Sequence, residues 1–163
     1  MSNSVTRRKF LIAGTSFGLL PMVLADEVTS QTKEGCVFCD FAANRGKFFK
    51  IWEDRYFLAF LDHKPINPGH TLLIPKNHFE HVFEMDNNLY AVIFEHARKL
   101  SRAIKASTGA KRIGMIVEGF GVAHAHVHLI PLHQGGELLK KGATGVTDEE
   151  FSKMAEKVRA VLN

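Results

Sequence analysis

Three histidines stand at alternate positions in His124-Ala125-His126-Val127-His128-Leu129-Ile130. On a strand, alternate side chains point to the same face. The three imidazoles would therefore share one face, and Ala125, Val127 and Leu129 the other. The second set is apolar and suits a core. The first is difficult to explain by packing, because imidazoles are neither good hydrophobes nor cheaply buried. Two kinds of chemistry fit. Histidines two apart on a strand can share a zinc ion. An imidazole nitrogen can also attack phosphorus or a carbonyl as a nucleophile. The spacing leaves both open.

A second group is Cys36-Val37-Phe38-Cys39. Such a pair is half of a zinc site that needs two more ligands, a thioredoxin-like redox couple, or a short-loop disulfide. With two cysteines in all, the chain is not a disulfide scaffold.

The elements that must position these residues follow from pattern. Phe48–Trp52 and Tyr56–Asp62 are expected as strands, rich in aromatic and aliphatic residues, with Glu53-Asp54-Arg55 as the turn between them. Asn67-Pro68-Gly69 signals a turn before a third strand, Thr71–Pro75. Residues 87–107 carry Leu89, Val92, Ile93, His96, Leu100, Ala103 and Ile104 at helical spacing, with Asp86 or Asn87 to cap the start and Gly109 to end the helix. Arg112–Val117 and Ala125–Pro131 complete five strands. A last helix starts at Thr147, whose hydroxyl can form a capping box with Glu150. Its apolar face is Phe151, Met154, Ala155, Val158 and Leu162. This order predicts an α+β fold with a mainly antiparallel, roughly five-stranded sheet, one long helix and a C-terminal helix.

The N-terminus reads as an address. Arg7-Arg8-Lys9 precede an apolar run from Phe10 to Ala25, interrupted by Pro21. A basic head, an apolar middle and a small residue at Ala25 describe a signal peptide over 1–25, and the Arg7-Arg8 pair resembles a twin-arginine export signal. The run is short of the ~20 apolar residues that span a bilayer. It would serve as a membrane anchor only if left uncleaved. The whole chain of 163 residues has 21 Lys+Arg against 17 Asp+Glu. Residues 1–25 hold three of the basic residues and no acid, so the remaining 138 (163 − 25) carry 18 against 17, a net charge of +1. The basic balance therefore gives no argument for a nucleic-acid partner. All nine histidines remain. Residues 26–35 are polar and expected as a loose arm, and residues 36–163 as one domain located, through export, in the periplasm.

The histidine pattern H-x-H-x-H, with apolar residues between, resembles the signature of the histidine triad (HIT) superfamily. Three other segments are similar to that family's motifs and come in its order: Cys36-Val-Phe-Cys39; Phe57-Leu-Ala-Phe-Leu-Asp62; and Pro68-Gly69-His70-Thr71-Leu-Leu-Ile-Pro75-Lys76-Asn77-His78. One motif alone would be weak, but four in register are specific. The resemblance implies a HIT-like fold and a nucleotide hydrolase or nucleotidyl transferase. In that family the middle histidine, here His126, attacks the α-phosphorus and forms a nucleotidyl-histidine. His128 and His70 match the positions that flank the phosphate, and His124 is the first histidine of the triad. Asp62 matches a position that bonds ribose hydroxyls, and Phe60 would line the base pocket. His63 stands where relatives usually carry an aliphatic residue and would bear on base recognition.

Relatives often carry G-Q-[ST] just before the triad. Here the stretch is Glu118-Gly119-Phe120-Gly121-Val122-Ala123. The side-chain donors are gone, which leaves the backbone N–H groups of Gly119 and Gly121 as substitutes. The resemblance also completes the cysteine pair: some relatives add the histidine of P-K-x-H and the first triad histidine. The set here would be Cys36, Cys39, His78 and His124 around a structural zinc. Relatives are commonly homodimers that join two five-stranded sheets. The partners implied are a nucleotide-type small molecule and a second copy, with no nucleic acid and no stable membrane association after signal cleavage. Two rival readings remain: a zinc enzyme with all three triad histidines around the metal, and a non-catalytic nucleotide- or metal-binding module.

Overall fold

The computed structural model describes residues 31–162. The expected export signal lies outside the described residues. Five strands form one sheet in the order β1-β2-β3-β5-β4, every neighbouring pair antiparallel. They are β1 (Lys50–Glu53), β2 (Phe57–Leu61), β3 (Thr71–Pro75), β4 (Arg112–Val117) and β5 (Val127–Leu132). The helices are α1 (Val37–Ala42), α2 (Asn87–Thr108) and α3 (Asp148–Leu162). The α+β architecture and all but one of these elements match the sequence expectation. The exception is α1, a six-residue helix at the cysteine pair, too short to show a period.

β2 and β3 are buried along their whole length, because both faces of the sheet are covered. Phe57, Ala59, Leu61, Leu73, Val127 and Leu129 face one core with Ile93, Leu100 and Ile104 of α2 and Phe151 and Val158 of α3. Leu58, Phe60, Leu72 and Ile74 face the other, with Cys36, Phe38 and Cys39 at α1. Strand alternation thus sorts one run of apolar residues into two layers.

α2 starts and stops, and α3 starts, where capping residues direct. The Asp86 carboxylate accepts from the N–H groups of Asn88 and Leu89, and Gly109, at φ 69°, closes α2 in the left-handed conformation. Thr147 and Glu150 form the expected box at the start of α3.

β5 departs from expectation in a way that matters. The ladder begins at Val127, paired to Leu73 and Val117, not at Ala125. Ala125 N–H donates instead to the Phe79 carbonyl at 2.6 Å. His124 and His126 therefore sit in an irregular lead-in, and only His128 lies on the strand.

Candidate active site

Strand register assembles the floor of the site. Phe60 pairs with Leu72, Leu72 with His128, and His128 with Ile116. Phe60, Leu72 and His128 line a cavity of about 730 Å³, which Phe38, Phe41 and Phe48 close on the aromatic side. Asp62, His63, Gly121 and His126 share its lining. The site residues expected from sequence divide into groups here. His126 and His128 face the cavity. His70 is buried behind His128, and His124 belongs to a separate cluster with the cysteines. Gly119 lies in a smaller cleft on the other side of His126.

The hydrogen-bond network assigns the ring protons. His126 Nδ1 is 2.6 Å from the His124 carbonyl oxygen. A carbonyl only accepts, so Nδ1 carries the proton and Nε2 keeps a free lone pair. Phe38 packs its ring edge-on against His126, with centroids 5.4 Å apart.

A second chain fixes His128. Ile66 N–H donates to His70 Nδ1 at 3.2 Å, so the His70 proton sits on Nε2. His70 Nε2 then donates to His128 Nδ1 at 2.9 Å, which puts the His128 proton on Nε2. His128 thus offers a donor where His126 offers a lone pair, and their rings are 4.9 Å apart. Burial lowers the pKa of His70 to about 4, although Asp62 opposes the shift. Burial also lowers that of His128. Both are neutral near pH 7.

Asp62 is held from both sides. One carboxylate oxygen accepts from Lys64 N–H at 2.8 Å, and the other lies 3.6 Å from His70 Nε2. His63 is exposed beside it, its Nδ1 3.6 Å from Asp62. The backbone N–H of Ile66 was not legible as a site group, because nothing in a side-chain pattern marks a main-chain donor. Phe38, by contrast, sits between the two cysteines and was there to be read.

The metal candidates converge. Cys36 Sγ is 3.4 Å and Cys39 Sγ 3.6 Å from His124 Nδ1, and Cys39 Sγ is 3.4 Å from His78 Nδ1. All four donor atoms lie within 4.8 Å of one another. Zinc bonds to sulfur and nitrogen at tetrahedral angles would set such edges at about 3.6 Å. His124 Nε2 donates to the Pro75 carbonyl at 2.9 Å, so its Nδ1 lone pair is the one turned to the sulfurs. Both cysteines are free thiols. Burial pushes the Cys39 thiol above its ordinary value; a divalent cation would reverse that by stabilising the thiolate. The residues fit the metal in number, type and spacing.

Comparison with known proteins agrees with this arrangement. The family model described as "HIT domain" matches residues 46–135. "Protein hit" of Bacillus subtilis is 37% identical over 109 residues, covering 64% of this chain and 75% of that protein. The Arabidopsis thaliana protein named adenylylsulfatase HINT3 is 28% identical, covering 82% of this chain and 73% of its own. A solved structure described as a Zn-bound histidine triad family protein from Mycobacterium smegmatis superposes with a TM-score of 0.67 at 27% identity, covering 78% of this chain and 93% of that one. Family match, sheet topology and the triad's geometry agree, and the chain belongs to the HIT domain family.

Proposed function

We propose that this protein is a nucleotide hydrolase or nucleotidyl transferase that acts at the α-phosphate of a nucleoside phosphoramidate or dinucleoside polyphosphate. The observation that carries the reading is the bond from His126 Nδ1 to the His124 carbonyl. With the proton held on Nδ1, Nε2 is the ring nitrogen left free beside a cavity with room for a nucleotide. Family membership and the similarity to a protein named as an adenylylsulfatase support the same reaction class.

In this mechanism the base sits among Phe38, Phe41, Phe48 and Phe60, and Asp62 accepts from the ribose hydroxyls. His126 Nε2 attacks the α-phosphorus. A P–N bond forms, and the bond from phosphorus to the leaving nitrogen or oxygen breaks. His128 Nε2–H donates to the phosphate or to the leaving atom, held by the His70 relay behind it. Water or another acceptor then attacks the same phosphorus, and the P–N bond to His126 breaks. The backbone N–H of Gly121, which lines the cavity, serves as a phosphate donor where relatives use side chains, whereas Gly119 lies outside it.

Cys36, Cys39, His78 and His124 would hold a structural zinc, and a zinc-bound relative supports that reading. Bound there, zinc supplies cross-linking of α1 to the triad lead-in. The rival zinc hydrolase is not favoured, because His124 is the one triad histidine in the four-ligand cluster. Export through the twin-arginine pathway and a homodimer complete the proposal. The dimer is supported by β4, which among the described residues has a strand partner on one side only and exposes Met115 and Val117.

The test is incubation with AMP- and GMP-linked phosphoramidates and dinucleotides, with mass spectrometry of the trapped protein. A nucleotidyl adduct on His126 is expected. Turnover without any adduct, and unchanged in His126→Ala, would overturn the mechanism.

A further inference from the structure

Segment 61–70 is a partition between two cavities. Asp62 and His63 line the nucleotide-sized one. On the other side Pro65 and Ile66 line a second cavity of about 370 Å³, closed by residues 143–146 and by α3. That volume lies in the range of about 300–1,000 Å³ typical of small-molecule sites. Its walls are mostly apolar, with Leu61, Ile66, Val146, Phe151 and Met154, and His70 itself lies on the lining. The partition is a built feature. Ala143 N–H donates to the Pro65 carbonyl at 2.8 Å, and residue 142 is a glycine because a Cβ there would collide with the Lys64 carbonyl.

Three charged residues stand on the cavity's lining: Glu150, Lys153 and Lys157. Two of them are already engaged. The Glu150 carboxylate accepts from Thr147 at the cap of α3, and Lys153 pairs with Glu149. Lys157 has no ion pair among the described residues. An apolar cavity with one uncommitted ammonium at its mouth suits a ligand with an apolar tail and an anionic head.

We propose that this cavity binds a medium-chain carboxylate, its tail against Ile66, Val146 and Met154 and its head on Lys157. The triad would feel the occupant. Ile66 touches the tail with its side chain and donates its N–H to His70 Nδ1, and His70 holds His128. Displacing Ile66 loosens the hydrogen bond that sets both ring tautomers. Binding itself does not rest on the nucleotide reading.

The experiment is an NMR titration of the full chain with decanoate, following the methyl groups of Ile66 and Met154. Decanol and decyltrimethylammonium serve as neutral and cationic controls. Saturable shifts are expected, with decanoate bound at least about tenfold more tightly than either control. Lys157→Glu should erase that preference, and Val146→Trp, which fills the cavity, should abolish the shifts. The His128 ring nitrogens, which lie off the cavity's lining, should move with decanoate, and unchanged signals there would remove the link to the triad. Absence of saturable shifts, or equal affinity for all three heads, would overturn the site. The head-group comparison uses the unaltered protein, so it decides even if a variant fails to fold.

Discussion

His126 donates its Nδ1 proton to the backbone carbonyl of His124 at 2.6 Å, while the His124 ring turns its own Nδ1 toward Cys36 and Cys39. One residue thus serves two sites with two different parts. Its main chain fixes the tautomer of His126, and its side chain joins the four-residue cluster. Whatever moves His124 must also move the atom that orients His126.

His126→Ala removes the nitrogen proposed to attack, together with ring contacts to Phe38 and His128 and the bond to the His124 carbonyl. Adduct formation should disappear and turnover should fall by roughly 10⁴-fold or more. The melting temperature should fall, but the protein should still fold, because the rest of the aromatic cluster is retained. Rate measurement together with a thermal melt separates the chemical loss from a folding loss.

Removing the candidate metal ligands should act on both properties at once. Cys39→Ser, or exhaustive chelation, should lower zinc content from about one per chain to near zero. The melting temperature should then fall by on the order of 10 °C, because metal affinity at such a site is coupled to folding free energy. The rate of adduct formation should drop too, through His124. Unchanged melting after complete zinc loss would show that the cluster does not hold the fold.

Gly142→Ala puts a methyl group against the Lys64 carbonyl. The backbone must yield, at a cost of about 1–3 kcal/mol. Lys64 N–H is the group that anchors Asp62, so nucleotide binding should weaken along with stability. KM should rise more than kcat falls. A substitution outside that segment, such as Gly135→Ala, which has open space around it, provides the control.

Much of this was legible in the residues. β3 and β4 fall on their expected bounds, because Pro75 stops one and the Gly109 turn precedes the other. The C-terminal box at Thr147 and Glu150 was readable for the same reason: capping is local chemistry. The triad strand was readable only in part. Alternation assigns Ala125, Val127 and Leu129 to the core as found, but it cannot reveal that Ala125 N–H bonds to Phe79 across the fold. That long-range bond keeps His124 and His126 off the ladder and lets His124 turn to the cysteines. The placement of His70 behind His128 was likewise hidden, because a main-chain donor at Ile66 and a register between β3 and β5 decide it.

The buried relay should give stability a pH dependence of definite sign. His70 has a folded-state pKa lowered to about 4 from 6.5, with burial as the main cause. Between those values the unfolded chain binds a proton at this residue and the folded chain does not. Stability from this group is therefore present above pH 6.5 and is lost as pH falls toward 4. His70→Asn places an oxygen where Nδ1 accepts from Ile66, so the local turn can persist without a titrating ring. Melting temperatures measured from pH 7.5 to 4.5 should fall less steeply for His70→Asn than for the parent. Parallel curves would mean that His70 is not the buried neutral imidazole that its bonds to Ile66 and His128 require. The donor assigned to His128 would then lose its basis, because the same two bonds fix both tautomers.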